Sequence, residues 1–120
     1  MKMHHEPLGP SAFLAEVLAE LAKTVDARAG TDPEASWTAK LLAGGPGVTA
    51  KKLGEEGVEA ALAVAHQSDK EVAAEAADLL YHLLVALRSR GVTLDDVAKV
   101  LEARQGKSGI AEKASRKTDG

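Results

Sequence analysis

The sequence predicts a single all-α domain, and three observations lead to that prediction. Apolar residues recur at helical spacing in five blocks, Gly and Pro separate the blocks, and no segment shows the sustained apolar/polar alternation of a strand. The length of 120 residues fits one domain. We therefore expect a bundle of four to five helices over residues 11–106, between an N-terminal extension, 1–10, and a basic C-terminal tail, 107–120.

The first two predicted helices precede a glycine-rich stretch. The first runs over residues 12–28, and Pro33 makes its continuation unfavourable. The second begins after Ser36, whose hydroxyl suits an N-cap, and continues through Leu42. The sequence GGPG at 44–47 then predicts a clear break in the chain.

The third and fourth predicted helices form the centre of the domain. They run over residues 49–67 and 70–90, with Ser68 or Asp69 as the turn and the N-cap of the fourth helix. Because the connection is so short, we expect these two helices to be antiparallel neighbours.

The start of the fifth predicted helix is marked by its capping residues. Gly91 suits the C-terminal cap of the fourth helix. Thr93 then suits an N-cap, and Asp96 three residues later completes a weaker form of the capping box. We expect this helix to end near residues 105–106.

Composition excludes several classes of protein. There is no cysteine, so a disulfide scaffold and a cysteine zinc site are excluded. The only aromatic side chains, Phe13, Trp37 and Tyr81, lie too far apart in sequence for a nucleic-acid stacking surface, and the net charge of −3 gives no attraction to nucleic acid. No apolar run approaches the length of about 20 residues that a membrane span needs, and the N-terminus lacks a signal peptide, so we expect a cytoplasmic protein.

The fourth predicted helix carries a narrow polar stripe on an otherwise apolar surface. At 100° per residue its members fall within about 60° of one another. They are Glu71, Glu75, Asp78, His82 and Ser89. Leucine and alanine cover most of the remaining circumference, which is more than a helix packed on one side needs. We expect this helix to be enclosed, with its acidic stripe facing a cleft or another acidic helix.

The third predicted helix carries a matching stripe that contains Lys52, Glu56 and Glu59. Each central helix therefore presents two carboxylates three residues apart, Glu56 with Glu59 and Glu75 with Asp78. Such residues lie on one face of a helix, with Cβ atoms about 5–6 Å apart. The two acidic pairs are expected to meet between the helices.

Four carboxylates between apolar walls need protons or a cation, because they repel one another and lose solvation. Oxygen ligands alone favour Mg²⁺ or Mn²⁺ over zinc. Mg²⁺ commonly takes substrate phosphates as further ligands, so a polyphosphate substrate is indicated. Lys51 and Lys52, one turn before the acids, are placed to meet phosphate charge. A solvated acidic face without a metal is the alternative interpretation.

The apolar residues indicate a homodimer. Hydrophobic residues make up 45% of the chain, but many are alanines, which bury little surface each. The third predicted helix also has a second apolar patch, formed by Val58, Leu62 and Ala65. A chain of this size with so small a core is expected to associate.

The acidic motif carries a resemblance to a known family. Glu55-Glu56-x-x-Glu59, followed after fifteen residues by Glu75-x-x-Asp78, is similar to the signature of the MazG-type all-α nucleoside triphosphate pyrophosphatases. More narrowly, four stretches resemble phosphoribosyl-ATP pyrophosphatase, an enzyme of histidine biosynthesis. They are SWTAKLL at 36–42, KKLGEE at 51–56, AADLLYHLLV at 76–85 and GKSGIAEK at 106–113.

This resemblance implies a homodimeric helical bundle that uses Mg²⁺ to hydrolyse phosphoribosyl-ATP to phosphoribosyl-AMP and pyrophosphate. The implied metal ligands are Glu56, Glu59, Glu75 and Asp78. The residues implied to orient or deprotonate the attacking water are Glu55 and the ligand carboxylate Glu56. The groups expected to hold phosphate oxygens are Lys40, Lys51, Lys52 and His82.

Several alternatives stay open at this point. The chain can be a housecleaning pyrophosphatase of the same superfamily with another nucleotide as substrate, or a non-catalytic helical dimerisation module. His82 can serve phosphate or Asp78, or simply bond a backbone carbonyl. Trp37, where the family often has Tyr, can be a core or interface anchor or a platform on which a base stacks.

Overall fold

The computed structural model describes residues 12–105, which form five α-helices and no strand. The helices are α1 (Ala12–Arg28), α2 (Trp37–Ala43), α3 (Gly45–His66), α4 (Asp69–Ser89) and α5 (Leu94–Arg104). The all-α prediction is confirmed, while the predicted extension 1–10 and tail 107–120 lie outside the described residues. None of the helices in the described part of the chain is long and apolar enough to cross a membrane.

Polar side chains begin three of the helices, as predicted. The hydroxyls of Ser36 and Ser68 accept hydrogen bonds from backbone N–H groups in the first turns of α2 and α4. At the start of α5, Thr93 and Asp96 form both hydrogen bonds of a capping box, at 3.0 and 2.9 Å. These bonds satisfy backbone N–H groups that have no partner within the helix, so they define where each helix starts.

The end of α4 is a glycine-capped turn. Gly91 has a φ of +70°, which a glycine adopts without steric cost. Its N–H donates to the carbonyl of Arg88, and the N–H of Val92 donates to the carbonyl of Leu87. This pair of bonds is a Schellman motif, and it directs the chain from α4 into α5.

The predicted break at residues 44–47 is wrong, because α3 begins at Gly45. Only Gly44 separates the two helices, and its N–H donates to the carbonyl of Leu41 in the last turn of α2. Gly45, with a φ of +80°, changes the direction of the chain. Pro46 then lies in the first turn of α3, where a missing N–H removes no intrahelical hydrogen bond.

The helices pack around α4, which contacts α1, α2 and α3. A small hydrophobic cluster joins Val25 of α1, Leu41 of α2 and Val85 of α4. The enclosure expected for α4 is only partial in one chain, since Ala73 and Ala77 in its first half are exposed. The core thus lies toward the C-terminal half of α4, away from the residues predicted to bind metal.

Two pairs of hydroxyl groups hold α2 and α3 in register with α4. Thr38 and Tyr81 lie 2.6 Å apart, oxygen to oxygen, and Thr49 and Ser89 lie 2.8 Å apart. Because the Ser89 hydroxyl donates to the carbonyl of Ala86 at 2.6 Å, the Thr49 hydroxyl is the donor to Ser89. These bonds determine which turns of α3 and α4 face each other.

We expect the Gly44→Ala substitution to destabilise the protein, because an added Cβ would lie 2.7 Å from Cγ2 and 2.8 Å from Cβ of Val48. Rotation of the Val48 side chain does not move its Cβ, so the backbone must shift. We expect the free energy of unfolding to fall by about 1–3 kcal/mol, measured by urea titration.

Gly47→Ala is the matched control for this prediction, since a Cβ at Gly47 meets nothing within 4 Å. Its free energy of unfolding should stay the same or rise by up to about 1 kcal/mol through helix propensity. Equal stability of the two variants would contradict the predicted clash.

Candidate metal centre

The packing of α3 on α4 brings three carboxylates together. Glu56 of α3 and Glu75 and Asp78 of α4 each offer one oxygen, and these oxygens all lie within 4.8 Å of one another. We call these three residues the carboxylate cluster. Glu56 is buried, with 8% of its surface exposed, Glu75 is half-buried and Asp78 is exposed. The cluster is therefore rooted in the protein at Glu56 and open to solvent at Asp78.

The clustering raises the pKa of Glu75 above its ordinary value of 4.5. Burial is the largest cause, followed by the negative charges of Glu59, Asp78 and Glu56 and by a hydrogen bond to Glu59. A hydrogen bond between two carboxyl groups requires that one of them holds a proton. The fourth acid predicted from sequence, Glu59, therefore lies beside Glu75, and a proton offsets part of the repulsion that a cation would otherwise neutralise.

The residues of the carboxylate cluster fit a hard divalent cation. Ligand oxygens about 2.1 Å from Mg²⁺ lie at most about 4.2 Å from each other, so the three oxygens need to approach by less than about 1 Å. The Oε2 atom of Glu75 is buried and has no hydrogen-bond partner in the described structure, so it is available as a ligand. Oxygen donors alone match Mg²⁺ or Mn²⁺.

One lysine reaches the carboxylate cluster. The Nζ atom of Lys52 lies 3.6 Å from Oε1 of Glu56, one helical turn away, and both side chains are largely shielded from solvent. The other charged residues predicted for the site are exposed and make no ion pair with the cluster in the described structure. They are Lys40, Lys51 and Glu55.

His82 lies beneath the cluster, with 8% of its surface exposed. Its Nδ1–H donates to the backbone carbonyl of Asp78 at 2.8 Å, which agrees with the structural alternative considered for it. Its ring packs edge to face against Tyr81, with the ring centroids 4.9 Å apart. The Nε2 atom is buried and has no partner among the described residues, so one ring nitrogen is left for a ligand.

Two contacts near the site were not predicted from the sequence. The bond between Thr38 and Tyr81 anchors the first turn of α2 against α4, beside His82. The Nζ atom of Lys52 lies 6.0 Å from the centre of the Trp37 ring. A tyrosine on an apolar helix face needs a hydroxyl partner, and that requirement was the available signal for the first contact. The second contact depends on helix packing and had no signal in the sequence.

The fold and the site define a class, the all-α proteins that hold a divalent-cation site of clustered carboxylates between two antiparallel helices. Comparison with known proteins narrows this class. The model of the family described as Phosphoribosyl-ATP pyrophosphohydrolase matches residues 18–105, and the chain belongs to this family. The resemblance predicted from the sequence motifs is confirmed.

Individual relatives match over nearly their whole length. The phosphoribosyl-ATP pyrophosphatase of Cereibacter sphaeroides is 60% identical over 100 residues, which cover 83% of this chain and 97% of the relative. That of Caulobacter vibrioides is 57% identical over 106 residues, covering 88% and 98%. That of Paracoccus denitrificans is 57% identical over 100 residues, covering 83% and 93%.

The raised pKa of Glu75 predicts how the stability of the metal-free protein depends on pH. The folded protein holds this proton more tightly than the unfolded chain, so the stabilising contribution is complete below about pH 4.5 and is lost as the pH rises through the raised pKa. We therefore expect Glu75→Gln to raise the free energy of unfolding at pH 8 relative to the wild type and to leave little difference at pH 4.

The measurement is urea unfolding between pH 4 and pH 8 in the presence of a chelator. Glu102→Gln, which removes an exposed carboxylate on α5, is the control and should follow the wild type. If the difference between Glu75→Gln and the wild type does not change with pH, the interpretation of Glu75 is wrong.

Proposed function

We propose that this chain hydrolyses phosphoribosyl-ATP to phosphoribosyl-AMP and pyrophosphate, a step of histidine biosynthesis, with Mg²⁺ or Mn²⁺ as cofactor. The carboxylate cluster carries the proposal, since three carboxylate oxygens within 4.8 Å fit a divalent cation and a polyphosphate. Membership of the phosphoribosyl-ATP pyrophosphohydrolase family and identity of up to 60% with phosphoribosyl-ATP pyrophosphatases support this choice of substrate.

In this proposal Glu56, Glu75 and Asp78 hold the metal, and Glu59 acts as a further ligand beside Glu75. When bound, the divalent ion supplies charge neutralisation and polarises the phosphate that is attacked. Filling the cluster also displaces the proton from Glu75, because the positive ion removes the repulsion that raised the pKa of this residue.

The attacking water needs a base, and the proposal assigns that role to the acids at the start of the motif. Glu55 is exposed and directly precedes Glu56, so its carboxylate is free to accept a hydrogen bond from water. It orients the water and takes its proton as the oxygen bonds to phosphorus and the bond to the pyrophosphate leaving group breaks. Glu56, as a ligand carboxylate, is the second candidate for this role.

The phosphate chain meets positive charge and hydrogen-bond donors in this proposal. Lys52 is the best placed, because it already lies 3.6 Å from Glu56 and exchanges that carboxylate for a phosphate oxygen. The buried, unpartnered Nε2 of His82 faces a change of protonation when it serves phosphate as a donor. Two exposed lysines complete the set, Lys40 on α2 and Lys51 on α3.

The same proposal makes the protein a cytoplasmic homodimer. Only six hydrophobic residues of the described chain are buried, which is a small core. The apolar patch predicted on α3 is exposed, with Val58 at 60% and Leu62 at 51%. A second copy of the chain offers the same patch, so pairing would bury both. The absence of cysteine suits a reducing compartment.

Glu56→Gln and Asp78→Asn should abolish Mg²⁺-dependent release of pyrophosphate from phosphoribosyl-ATP, since each removes one charged ligand. We expect kcat to fall more than about 100-fold, which exceeds the usual effect of altering a residue that only supports a ligand. The measurement is pyrophosphate release with phosphoribosyl-ATP and, in parallel, with ATP. Circular dichroism should show the helical fold unchanged.

Glu102→Gln serves as the control and should keep wild-type activity, because Glu102 is exposed on α5. Near-normal turnover in both cluster variants would rule out the metal site. Faster turnover of ATP than of phosphoribosyl-ATP by the wild type would favour a housecleaning pyrophosphatase. No turnover of either substrate would favour a non-catalytic helical module.

Leu62→Glu should convert the dimer to a monomer, because it places a charge in the paired apolar patches. Sedimentation at micromolar protein concentration is the measurement, with dimeric wild type expected. Gln67→Glu adds the same charge at the exposed C-terminal cap of α3 and should stay dimeric. A folded wild-type monomer at this concentration would contradict the dimer proposal.

A further inference from the structure

Trp37, the only tryptophan of the chain, is exposed beside the carboxylate cluster. It is the first residue of α2, and 53% of its surface is accessible, so it is not the core anchor considered from the sequence. Burial of an aromatic ring of this size is strongly favourable. Its exposure therefore marks a place where a further group can bind.

The backbone that carries this ring is held firmly. The Ser36 hydroxyl accepts a hydrogen bond from the N–H of Ala39 at 3.2 Å and caps the helix. The next residue, Thr38, is buried and its hydroxyl lies 2.6 Å from the hydroxyl of Tyr81 on α4. The indole is thus presented on an anchored helical turn, so little conformational entropy is lost when a ligand contacts it.

The ring is also close to the proposed metal. Nζ of Lys52 lies 6.0 Å from the ring centroid and 3.6 Å from Oε1 of Glu56, so the centroid is at most about 10 Å from this carboxylate oxygen. A second route leads to the same place, since Thr38 bonds Tyr81 and the adjacent His82 bonds the carbonyl of Asp78. The purine of a nucleotide and its phosphate chain are separated by a similar distance.

We propose that Trp37 is the stacking platform for the purine base of the nucleotide, with Lys52 between this base subsite and the phosphate subsite. The inference rests on the proposed function for the identity of the nucleotide, but the base subsite itself does not require turnover. Lys52 interacts with the ring and with Glu56. A phosphate oxygen competes for this ammonium group, which leaves the indole face to the base. Stacking of a base on an aromatic ring changes affinity by roughly 10- to 100-fold.

The single tryptophan allows a binding test that is independent of catalysis. Wild-type protein with Mg²⁺ is titrated with AMP, with phosphoribosyl-AMP and with inorganic pyrophosphate, which has no base, while indole emission is recorded. The two purine nucleotides should quench the emission saturably and pyrophosphate should not. Unchanged emission with both nucleotides, or equal quenching by pyrophosphate, would overturn the proposal.

The kinetic test compares Trp37→Leu with the conservative Trp37→Phe. We expect Trp37→Leu to raise KM for phosphoribosyl-ATP roughly 10- to 100-fold with kcat within about twofold of wild type, because stacking is lost and the carboxylate cluster is kept. Trp37→Phe should recover most of the affinity. An unchanged KM in Trp37→Leu would overturn the proposal.

Contact with a second subunit is the competing role for this ring. In that case Trp37→Leu would sediment as a monomer and the wild-type emission would depend on protein concentration rather than on nucleotide, which would overturn the stacking proposal. Failure of the proposed function is distinguishable from these results. A wild type that is quenched by AMP but releases no pyrophosphate from phosphoribosyl-ATP would refute that function and support the base subsite.

Discussion

Repulsion among carboxylates held between two helices is the constraint on which this structure depends. Glu56, Glu75 and Asp78 offer oxygens within 4.8 Å of one another, and Glu56 is buried. Such an arrangement costs free energy unless protons or a cation offset the charge. The raised pKa of Glu75 shows the cost directly, with burial as its main cause. The strain is located where a divalent cation and a polyphosphate relieve it.

The rest of the fold keeps these acids in place at a distance from them. The hydrophobic cluster lies around Val85, one to two turns beyond the acids on α4, and the Thr49–Ser89 bond secures the far end of the α3–α4 pair. The caps and the Gly91 turn fix the ends of α4. The stabilising contacts are thereby concentrated at one end of the pair, while the other end accepts repulsion in exchange for function.

Much of the fold was predictable because its signals are local. The caps at Ser36, Ser68 and Thr93 read correctly since each hydroxyl bonds a backbone group a few residues away. The break at 44–47 was wrong because Gly and Pro favour loops but are also tolerated at a helix start. For the site, helical periodicity predicted that Glu56 would face Glu75 and Asp78. It gave no sign that Lys52 would lie beside the Trp37 ring, since 15 residues and a helix crossing separate them.

The sequence by itself determined the all-α class, the acidic pairs on the two central helices and the resemblance to a family that the comparison confirmed. These properties depend on spacing along one helix or on motifs within one stretch of chain. Only the tertiary structure decided the burial of Glu56, the proton sharing of Glu75 with Glu59 and the unpartnered Nε2 of His82. Burial, pKa and hydrogen-bond satisfaction depend on which atoms of other helices lie within a few ångströms, and helix packing alone sets those distances.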